Sequence, residues 1–258
     1  MQRIGVLGVG ELTEKVVIGL RKGGFDGEIR LSPRNRERAE ALAVSWQCHV
    51  MESNQEVVNA SDLLFLGVRP DAVESVAREI TVPSGLLLIS LVAGMEAVEL
   101  ATLFTGAEVV RAMLSYASQI NQSTVLLTPF SPNAESVLAR LGTLVVLESE
   151  AEFEIATVTA CMNGWFYFFL NDLQDWLIDK GISEDNALRL VTGNMQDCLA
   201  VIRDAPEKRL ENLGKAIATP DTYTAAGLEV LRHRNSSAPW HEACELVLQK
   251  LINSHKKN

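Results

Sequence analysis

The chain has 258 residues, enough for one large or two ordinary domains, and its 47% hydrophobic and 22% charged residues are typical of soluble globular proteins. A net charge of −10 argues against binding to nucleic acid or to an anionic membrane surface, whereas a phosphate-bearing cofactor needs only local donors. The longest apolar run, near residues 155–170, contains Asn163 and Gly164 and is too short and too polar for a membrane span.

A strand, a glycine turn and a helix are predicted at the start of the chain. Residues 4–7 form a short apolar strand, Gly8 and Gly10 break it, and helical periodicity begins at Leu12. Such a turn leaves backbone N–H groups without partners at a helix N-terminus, where a pyrophosphate is the usual ligand. The third position of the G-x-G-x-x-G/A fingerprint is Thr13, so the fingerprint is incomplete. We interpret the turn as a dinucleotide-binding turn.

Strands and helices alternate through the first half of the chain. Further strands are predicted at residues 28–31, 49–51, 63–68, 85–90, 108–113, 124–127 and 143–147. Helices are predicted at residues 34–44, 54–59, 70–80 and 95–103. This alternation predicts a mostly parallel, doubly wound sheet, and we assign residues 1–150 to a Rossmann-type dinucleotide-binding domain.

The end of the second strand indicates the type of nucleotide. An acidic residue there binds the ribose 2′-hydroxyl of NAD, but Ser32, Arg34, Asn35 and Arg36 include no carboxylate. Arginine binds phosphate through a planar fork of donors. The segment therefore favours NADP over NAD. The alternative is that Arg34 and Arg36 simply begin a solvated helix.

Almost everything beyond residue 152 is predicted to be helical. Helices are expected at residues 153–179, 183–202, 207–217, 219–231 and 240–252, followed by a polar tail at 253–258 that we expect to fray. The bulky residues at positions 165–169 cover most of the circumference of the first of these helices, which then requires burial on all sides. One small helical domain has little room for that. We therefore predict an intimate homodimer through a helical domain of residues 151–258.

Cysteines and histidines are scattered along the chain without metal-site spacing. They are Cys48, Cys161, Cys198, Cys244, His49, His233, His241 and His255. We interpret all of them as core or surface residues. The scattered spacing leads us to expect no metal site. The dispersed thiols, together with the lack of a recognisable signal segment, lead us to expect a cytoplasmic protein.

Several motifs occur in one order along nearly the whole chain. They are the glycine turn at residues 8–13, Ser32–Asn35, Asn54 before a short helix, Val68-Arg69-Pro70, Ser90–Gly94, Arg111-Ala112-Met113, Gly164–Tyr167, Thr219–Thr224 and Ala226-Gly227-Leu228. In this order and spacing they resemble the pyrroline-5-carboxylate reductase family.

The resemblance implies an NADPH-binding domain, a helical dimerisation domain, and hydride transfer from NADPH to the C=N bond of a small cyclic imine at a dimer cleft, as in proline biosynthesis. The residues assigned to the cofactor are Gly8, Gly10, Glu11, Leu12, Ser32, Arg34, Asn35, Asn54, Val68, Arg69, Pro70, Ala93 and Gly94.

The substrate motifs depart from the family pattern. Leu114–Ala117 replaces the family's Pro-Asn-Thr-Pro, and Asp221 and Thr222 replace two glycines. Tyr223 replaces the first of two threonines, and Thr224 retains the second. The expected substrate-binding residues are Ser115, Tyr116, Asp221 and Tyr223, with Thr224 as the catalytic hydroxyl.

Asp221 is expected to change the choice of substrate. We predict a helix that starts with Thr219 as N-cap and Pro220 at its first position, so that Asp221 lies at its positive end. In the family, backbone N–H groups there are offered to the substrate carboxylate, which would here meet a like charge. We predict weak or no activity on pyrroline-5-carboxylate and a better fit to a cationic or neutral imine, or to an amine.

Three alternatives remain open. A 3-hydroxy acid dehydrogenase has a similar layout, but its catalytic lysine has no counterpart between Ser149 and Asp179, and Lys180 comes only at the helix end. A deazaflavin-using reductase could share the first domain. A non-catalytic NADP-binding sensor or partner-binding protein would account for the altered substrate motifs.

Overall fold

The computed structural model of the protein describes residues 2–254, which divide into two compact units. One unit contains the described residues up to Ala160 together with those from Val247 onward, and the other spans Cys161–Leu246. The division at residue 150 that the sequence suggests stays a prediction.

Within the described residues, an eight-stranded sheet forms the middle of the first unit, in the order β3-β2-β1-β4-β5-β6-β7-β8. Its strands are β1 (Arg3–Leu7), β2 (Glu28–Leu31), β3 (His49–Val50), β4 (Leu63–Leu66), β5 (Leu87–Ser90), β6 (Glu108–Met113), β7 (Ser123–Thr128) and β8 (Gly142–Val146). All neighbouring strands are parallel except β6 and β7. This order is that of a doubly wound sheet, so the predicted Rossmann-type fold is confirmed.

Helices connect the strands of the first unit and form the second. They are α1 (Glu11–Lys22), α2 (Arg36–Trp46), α3 (Asn54–Asn59), α4 (Val73–Glu79), α5 (Ala97–Leu103), α6 (Pro132–Leu138), α7 (Glu150–Asp179), α8 (Glu184–Asp204), α9 (Leu210–Ile217), α10 (Tyr223–His233) and α11 (Ala238–Ser254). The predicted fold class, a doubly wound sheet followed by an all-helical region, matches these elements.

Some element boundaries differ from the sequence prediction. β4 ends at Leu66, not at residue 68, because Leu66 pairs with Ser90, the last residue of β5, and the chain then turns away. The segment Pro70–Ala72 is a 3₁₀ turn that precedes α4. The sequence prediction contains no helix at Pro132–Leu138, although Ser131 and Pro132 are typical starting residues. α11 continues to Ser254, so the tail is helical further than expected, and residues 255–258 lie outside the described residues.

Both faces of the sheet are covered, which explains its continuous apolar strands. Side chains alternate along each strand: in β4, Leu63 and Phe65 face one layer, whereas Leu64 and Leu66 face the other. The first layer contains buried residues of α1, α2 and α6, and the second contains buried residues of α3, α4 and α5. The carboxyl ends of the parallel strands are thereby left as the open edge where a ligand can bind.

A buried ion cluster joins β6 to the first turns of α7. The Arg111 side chain is fully buried, and its guanidinium lies 2.5 Å from Glu150 and 2.7 Å from Glu154, which is also buried. The guanidinium also lies over the Phe153 ring, 4.4 Å from the ring centroid. Glu150 in addition accepts a hydrogen bond from the Ala97 N–H at 2.9 Å, so the cluster also holds the start of α5.

The second unit leaves a large apolar surface exposed on the single chain. Trp240 packs against the rings of Trp165, Phe166 and Phe169, with centroids 5.6–6.2 Å apart. Phe168, in contrast, is 74% exposed. The helix that the sequence predicts to be apolar all round is therefore not covered by the unit itself. None of the described helices is apolar over enough of its length to span a membrane.

Candidate cofactor cleft and substrate-motif residues

A cleft of about 940 Å³ lies at the carboxyl ends of β1, β2 and β4. Its lining residues are Gly8, Val9, Gly10, Arg34, Asn35, Arg36, Glu37, Asn54, Gly67, Val68, Arg69, Asp71, Ala72, Ser75, Val76 and Glu79. Seven residues assigned to the cofactor from the sequence, Asn54 among them, are thus brought together around one cavity. Ligands of doubly wound sheets bind at this edge, where the strand order reverses.

The two glycines of the first turn serve different purposes. Gly8 adopts φ = 88°, and a Cβ there would lie 2.5 Å from the Val68 side chain, so both its conformation and its surroundings require glycine. A Cβ on Gly10 would meet nothing closer than 3.9 Å, the distance to the Gly67 carbonyl oxygen. Space is therefore open at Gly10, where a pyrophosphate would approach the N-terminus of α1.

Ser32 supports the turn and does not line the cleft. Its side chain is 1% exposed, and its Oγ accepts a hydrogen bond from the Gly8 N–H at 2.9 Å. The end of β2 is thereby joined to the turn after β1. Glu11 and Leu12, also assigned to the cofactor, form the first turn of α1, whose N–H groups have no intrahelical partners.

Two arginines that line the cleft are not engaged in ion pairs within the described chain. They are Arg34 and Arg69, and both are exposed. Arg36, by contrast, pairs with Glu40 at 2.7 Å, one helical turn along α2. Asn35 is the N-cap of α2, and its side chain accepts a hydrogen bond from the Arg38 N–H at 3.4 Å. Of the two arginines in the predicted phosphate segment, Arg34 is the one available to a ligand.

The remaining predicted cofactor residues surround the same edge. The Asn54 amide donates to Glu79 at 2.6 Å, which fixes it at the wall of the cleft. Pro70 begins the 3₁₀ turn that follows the lining residues Val68 and Arg69. Ala93 and Gly94 lie in the loop after β5, where Gly94 has φ = 69°, and they do not line this cavity.

Ser115 and Tyr116 follow β6, the next strand along this edge after β5. The Ser115 Oγ accepts from the Ala117 N–H at 3.3 Å and begins a short 3₁₀ segment. Tyr116 is half exposed, and its pKa is raised by partial desolvation and by the neighbouring Glu11 carboxylate at the start of α1. These two predicted substrate residues therefore lie on the cofactor-binding unit.

The start of α10 differs from the prediction. The N-cap is Thr222, whose Oγ accepts a hydrogen bond from the Ala225 N–H at 3.1 Å, and not Thr219. Asp221 consequently precedes the helix and is not in its first turn; its backbone adopts φ = 66°. Tyr223 and Thr224 are the first two helical residues and both are exposed, Tyr223 to 99%.

Cleft residues that sequence reasoning missed include Gly67, Asp71 and Glu79. Gly67 stands between the apolar run of β4 and Val68, and a glycine at a strand end next to a ligand turn is a usable signal. Among residues 2–254 there is no group of three or more histidine, cysteine or acidic side chains that could hold a metal. Cys48 is buried, which raises the pKa of its thiol to about 11, so it behaves as a core residue.

Comparisons with known proteins match both parts of the chain. Residues 3–94 match the family described as NADP oxidoreductase coenzyme F420-dependent. Residues 150–252 match the family described as pyrroline-5-carboxylate reductase dimerisation. The second matched part of the chain is thus similar to pyrroline-5-carboxylate reductases. The predicted resemblance to the pyrroline-5-carboxylate reductase family is thereby confirmed.

Individual relatives cover nearly the full length of the chain. The pyrroline-5-carboxylate reductase of Pseudomonas aeruginosa is 24% identical over 96% of this chain and 95% of its own length. The Plasmodium falciparum pyrroline carboxylate reductase solved with NADP bound has a TM-score of 0.89, 18% identity and 98% coverage of both chains. A reductive aminase from Aspergillus terreus solved with NADPH has a TM-score of 0.60, with 20% identity over 100% of this chain and 93% of its own. These findings agree with the predicted enzyme class and cofactor.

Proposed function

We propose that the protein is an NADP-dependent oxidoreductase that transfers hydride from NADPH to the C=N bond of a small cyclic imine. The observation that carries this proposal is the cleft, in which the glycine turn, Arg34 and Arg69 converge at the strand ends of a pyrroline-5-carboxylate reductase fold. Bound NADPH supplies the hydride, while the chain supplies binding, orientation and exclusion of water. A protonated imine is already electrophilic, so it needs orientation more than a strong acid.

NADP is the preferred nucleotide in this proposal because of charge. Arg34 follows the end of β2, where an acidic residue would have marked an NAD site. Its guanidinium and that of Arg69 are not occupied by ion pairs within the described chain and can bind a 2′-phosphate. Glu37, Asp71 and Glu79 also line the cavity. The preference therefore rests on the two arginines without ion pairs and on the lack of a carboxylate among residues 32–36, and not on the net charge of the lining.

The substrate in this proposal lacks a carboxylate next to the imine. Asp221 occupies a position at which the family motif has glycine, and its backbone adopts a left-handed conformation that suits glycine. The side chain of Asp221 places a carboxylate just ahead of the start of α10. A neutral or cationic imine is compatible with that charge.

Thr224 is the proposed catalytic hydroxyl, since it matches the retained family threonine and is exposed in the first turn of α10. We expect purified wild-type protein to oxidise NADPH faster than NADH when unsubstituted pyrroline is supplied. Thr224→Val, which is nearly isosteric, should lower kcat by about tenfold or more while leaving the Kd for NADPH unchanged.

Absorbance of the reduced nucleotide, followed with and without imine, measures both expectations. NADPH binding without turnover of any imine in a broad screen would favour a non-catalytic NADP-binding protein. Unchanged kcat in Thr224→Val would remove Thr224 from the chemistry.

We also propose that the active form is a homodimer joined through the helical domain, residues 151–258. The exposed aromatic residues of α7 support it, because soluble monomers rarely leave so large an apolar surface in water.

Sedimentation should give twice the chain mass of 28.2 kDa. Phe168→Glu should shift the protein toward the monomer. The matched control is Val44→Glu on α2, an isolated exposed apolar residue, which should leave the mass unchanged. A wild-type monomer at micromolar concentration would contradict the proposal.

A further inference from the structure

Thr13 is a buried polar side chain inside the glycine turn, 1% exposed. Its Oγ1 accepts a hydrogen bond from the Gly10 N–H at 2.8 Å and donates one to the Gly8 carbonyl at 2.8 Å. The Ser32 Oγ accepts from the N–H of the same Gly8. Two buried hydroxyls therefore bind the backbone of Gly8, Ser32 at its N–H and Thr13 at its carbonyl, so that side chains of the protein itself fix the turn.

The methyl group of Thr13 occupies space that Gly67 leaves free. A Cβ on Gly67 would lie 2.1 Å from the Thr13 Cγ2, far closer than two carbon atoms approach. The backbone of Gly67 is not in the left-handed region, so glycine is required there for space alone. Residues 13 and 67 are thus matched in volume: the methyl group of Thr13 on α1 fills the space that a side chain at Gly67, just after β4, would occupy.

We propose that Thr13, matched with Gly67, is a positioning residue that holds the phosphate-binding turn in its binding shape before the nucleotide arrives. The inference rests on the proposed NADP-dependent function. Thr13 is buried and acts through Gly8 and Gly10, not by touching the ligand. The N–H groups at the start of α1 then face the pyrophosphate in a fixed arrangement, and such preorganisation lowers the ordering cost of binding.

The departure from the nucleotide-binding fingerprint therefore has a physical use. A glycine or alanine at the third position lets helix and strand pack closely, but it has no side-chain hydroxyl that could bind the backbone of the turn. Here the Gly10 N–H keeps its short contact to the Gly8 carbonyl at 3.0 Å and gains the hydroxyl as a second acceptor. Removing that hydroxyl leaves buried polar groups less well satisfied and lets the turn relax.

Four full-length variants separate the hydroxyl from the methyl group. Thr13→Val keeps the shape and removes the hydroxyl, whereas Thr13→Ser keeps the hydroxyl and removes the methyl. Gly67→Ala adds a methyl where Thr13 already places one. Thr13→Ser combined with Gly67→Ala moves the methyl from one side of the contact to the other. Each variant is titrated with NADPH and, as a control that has no pyrophosphate, with adenosine 2′-phosphate.

We expect Thr13→Val and Gly67→Ala each to weaken NADPH binding by about tenfold or more, and Thr13→Ser and the double variant to bind nearly as wild type does. The Kd for adenosine 2′-phosphate should stay unchanged in Thr13→Val, whereas general damage to the domain would weaken both ligands. Equal NADPH affinity of wild type and Thr13→Val, or an equal loss of affinity for both ligands, would overturn this inference but not the proposed function. Failure of the wild type to bind NADPH would instead overturn the proposed function and this inference with it.

Discussion

Replacing Arg111 with methionine is expected to lower the free energy of unfolding by about 3–5 kcal/mol, the usual cost of removing one partner of a buried ion pair. The substitution leaves the buried Glu154 carboxylate without the guanidinium that lies 2.7 Å away, and it removes the cation from the face of Phe153. The loss of Arg111 costs less at Glu150, because this carboxylate is partly exposed to water and still accepts a hydrogen bond from the Ala97 N–H. Urea unfolding at a fixed protein concentration, followed by near-UV circular dichroism, measures the change.

A double variant tests whether removal of the guanidinium beside Glu154 causes the loss of stability. Arg111→Met combined with Glu154→Leu replaces charges by apolar groups of similar size, and such replacements of buried ion clusters are often neutral or stabilising. We expect the double variant to recover most of the stability lost in Arg111→Met. A loss in Arg111→Met below about 1 kcal/mol, or a double variant that is less stable still, would contradict this account of the cluster.

Much of the sheet could be predicted because apolar strands alternate with helices at regular spacing. β2, β6 and α3 have the bounds predicted from sequence. The antiparallel pairing of β6 with β7 could not be predicted from that alternation. The segment between them is too short for a crossover helix, and such short connections join antiparallel neighbours.

The cofactor cleft was predictable to the extent that its residues follow strand ends in the sequence. Gly8, Arg34 and Val68 each come directly or shortly after a strand, so the parallel sheet brings them to one edge. The role of Ser32 was not predictable, since whether a residue at a strand end faces the ligand or the neighbouring turn depends on burial that the sequence does not state. The pairing of Thr13 with Gly67 joins residues far apart in sequence, and no local pattern indicates it.

The start of α10 was mispredicted for a local reason. Thr219, Pro220 and Asp221 satisfy the preferences of a helix start, and Thr222 satisfies them equally well. In the structure the Thr222 hydroxyl also donates to the Thr219 carbonyl at 2.7 Å, which closes a turn ahead of the helix and favours the later start. Asp221 lies in that turn, where aspartate and asparagine tolerate a positive φ better than most residues do.

Substituting Asp221 with glycine is expected to move the substrate preference toward pyrroline-5-carboxylate. Two like charges about 4 Å apart cost about 1 kcal/mol in water and about 4 kcal/mol near a protein surface. We therefore expect the ratio of kcat/KM for pyrroline-5-carboxylate to that for unsubstituted pyrroline to rise by at least about tenfold. Glycine also relieves the backbone at φ = 66°. Steady-state kinetics with NADPH and each imine provide both values.

Two controls separate the effect of the Asp221 charge on the ratio from the effect of its backbone conformation. Asp221→Asn removes the charge and keeps a residue that tolerates this conformation, so it should give most of the change in the ratio. Asp26→Asn removes an exposed acid ahead of β2, at the end of the strands opposite to the cleft, and should leave the ratio unchanged. An unchanged ratio in both Asp221 variants would show that this carboxylate does not select the substrate. Rapid turnover of pyrroline-5-carboxylate by the wild type would contradict the proposed change of substrate. It would imply that the Asp221 carboxylate points away from the substrate carboxylate.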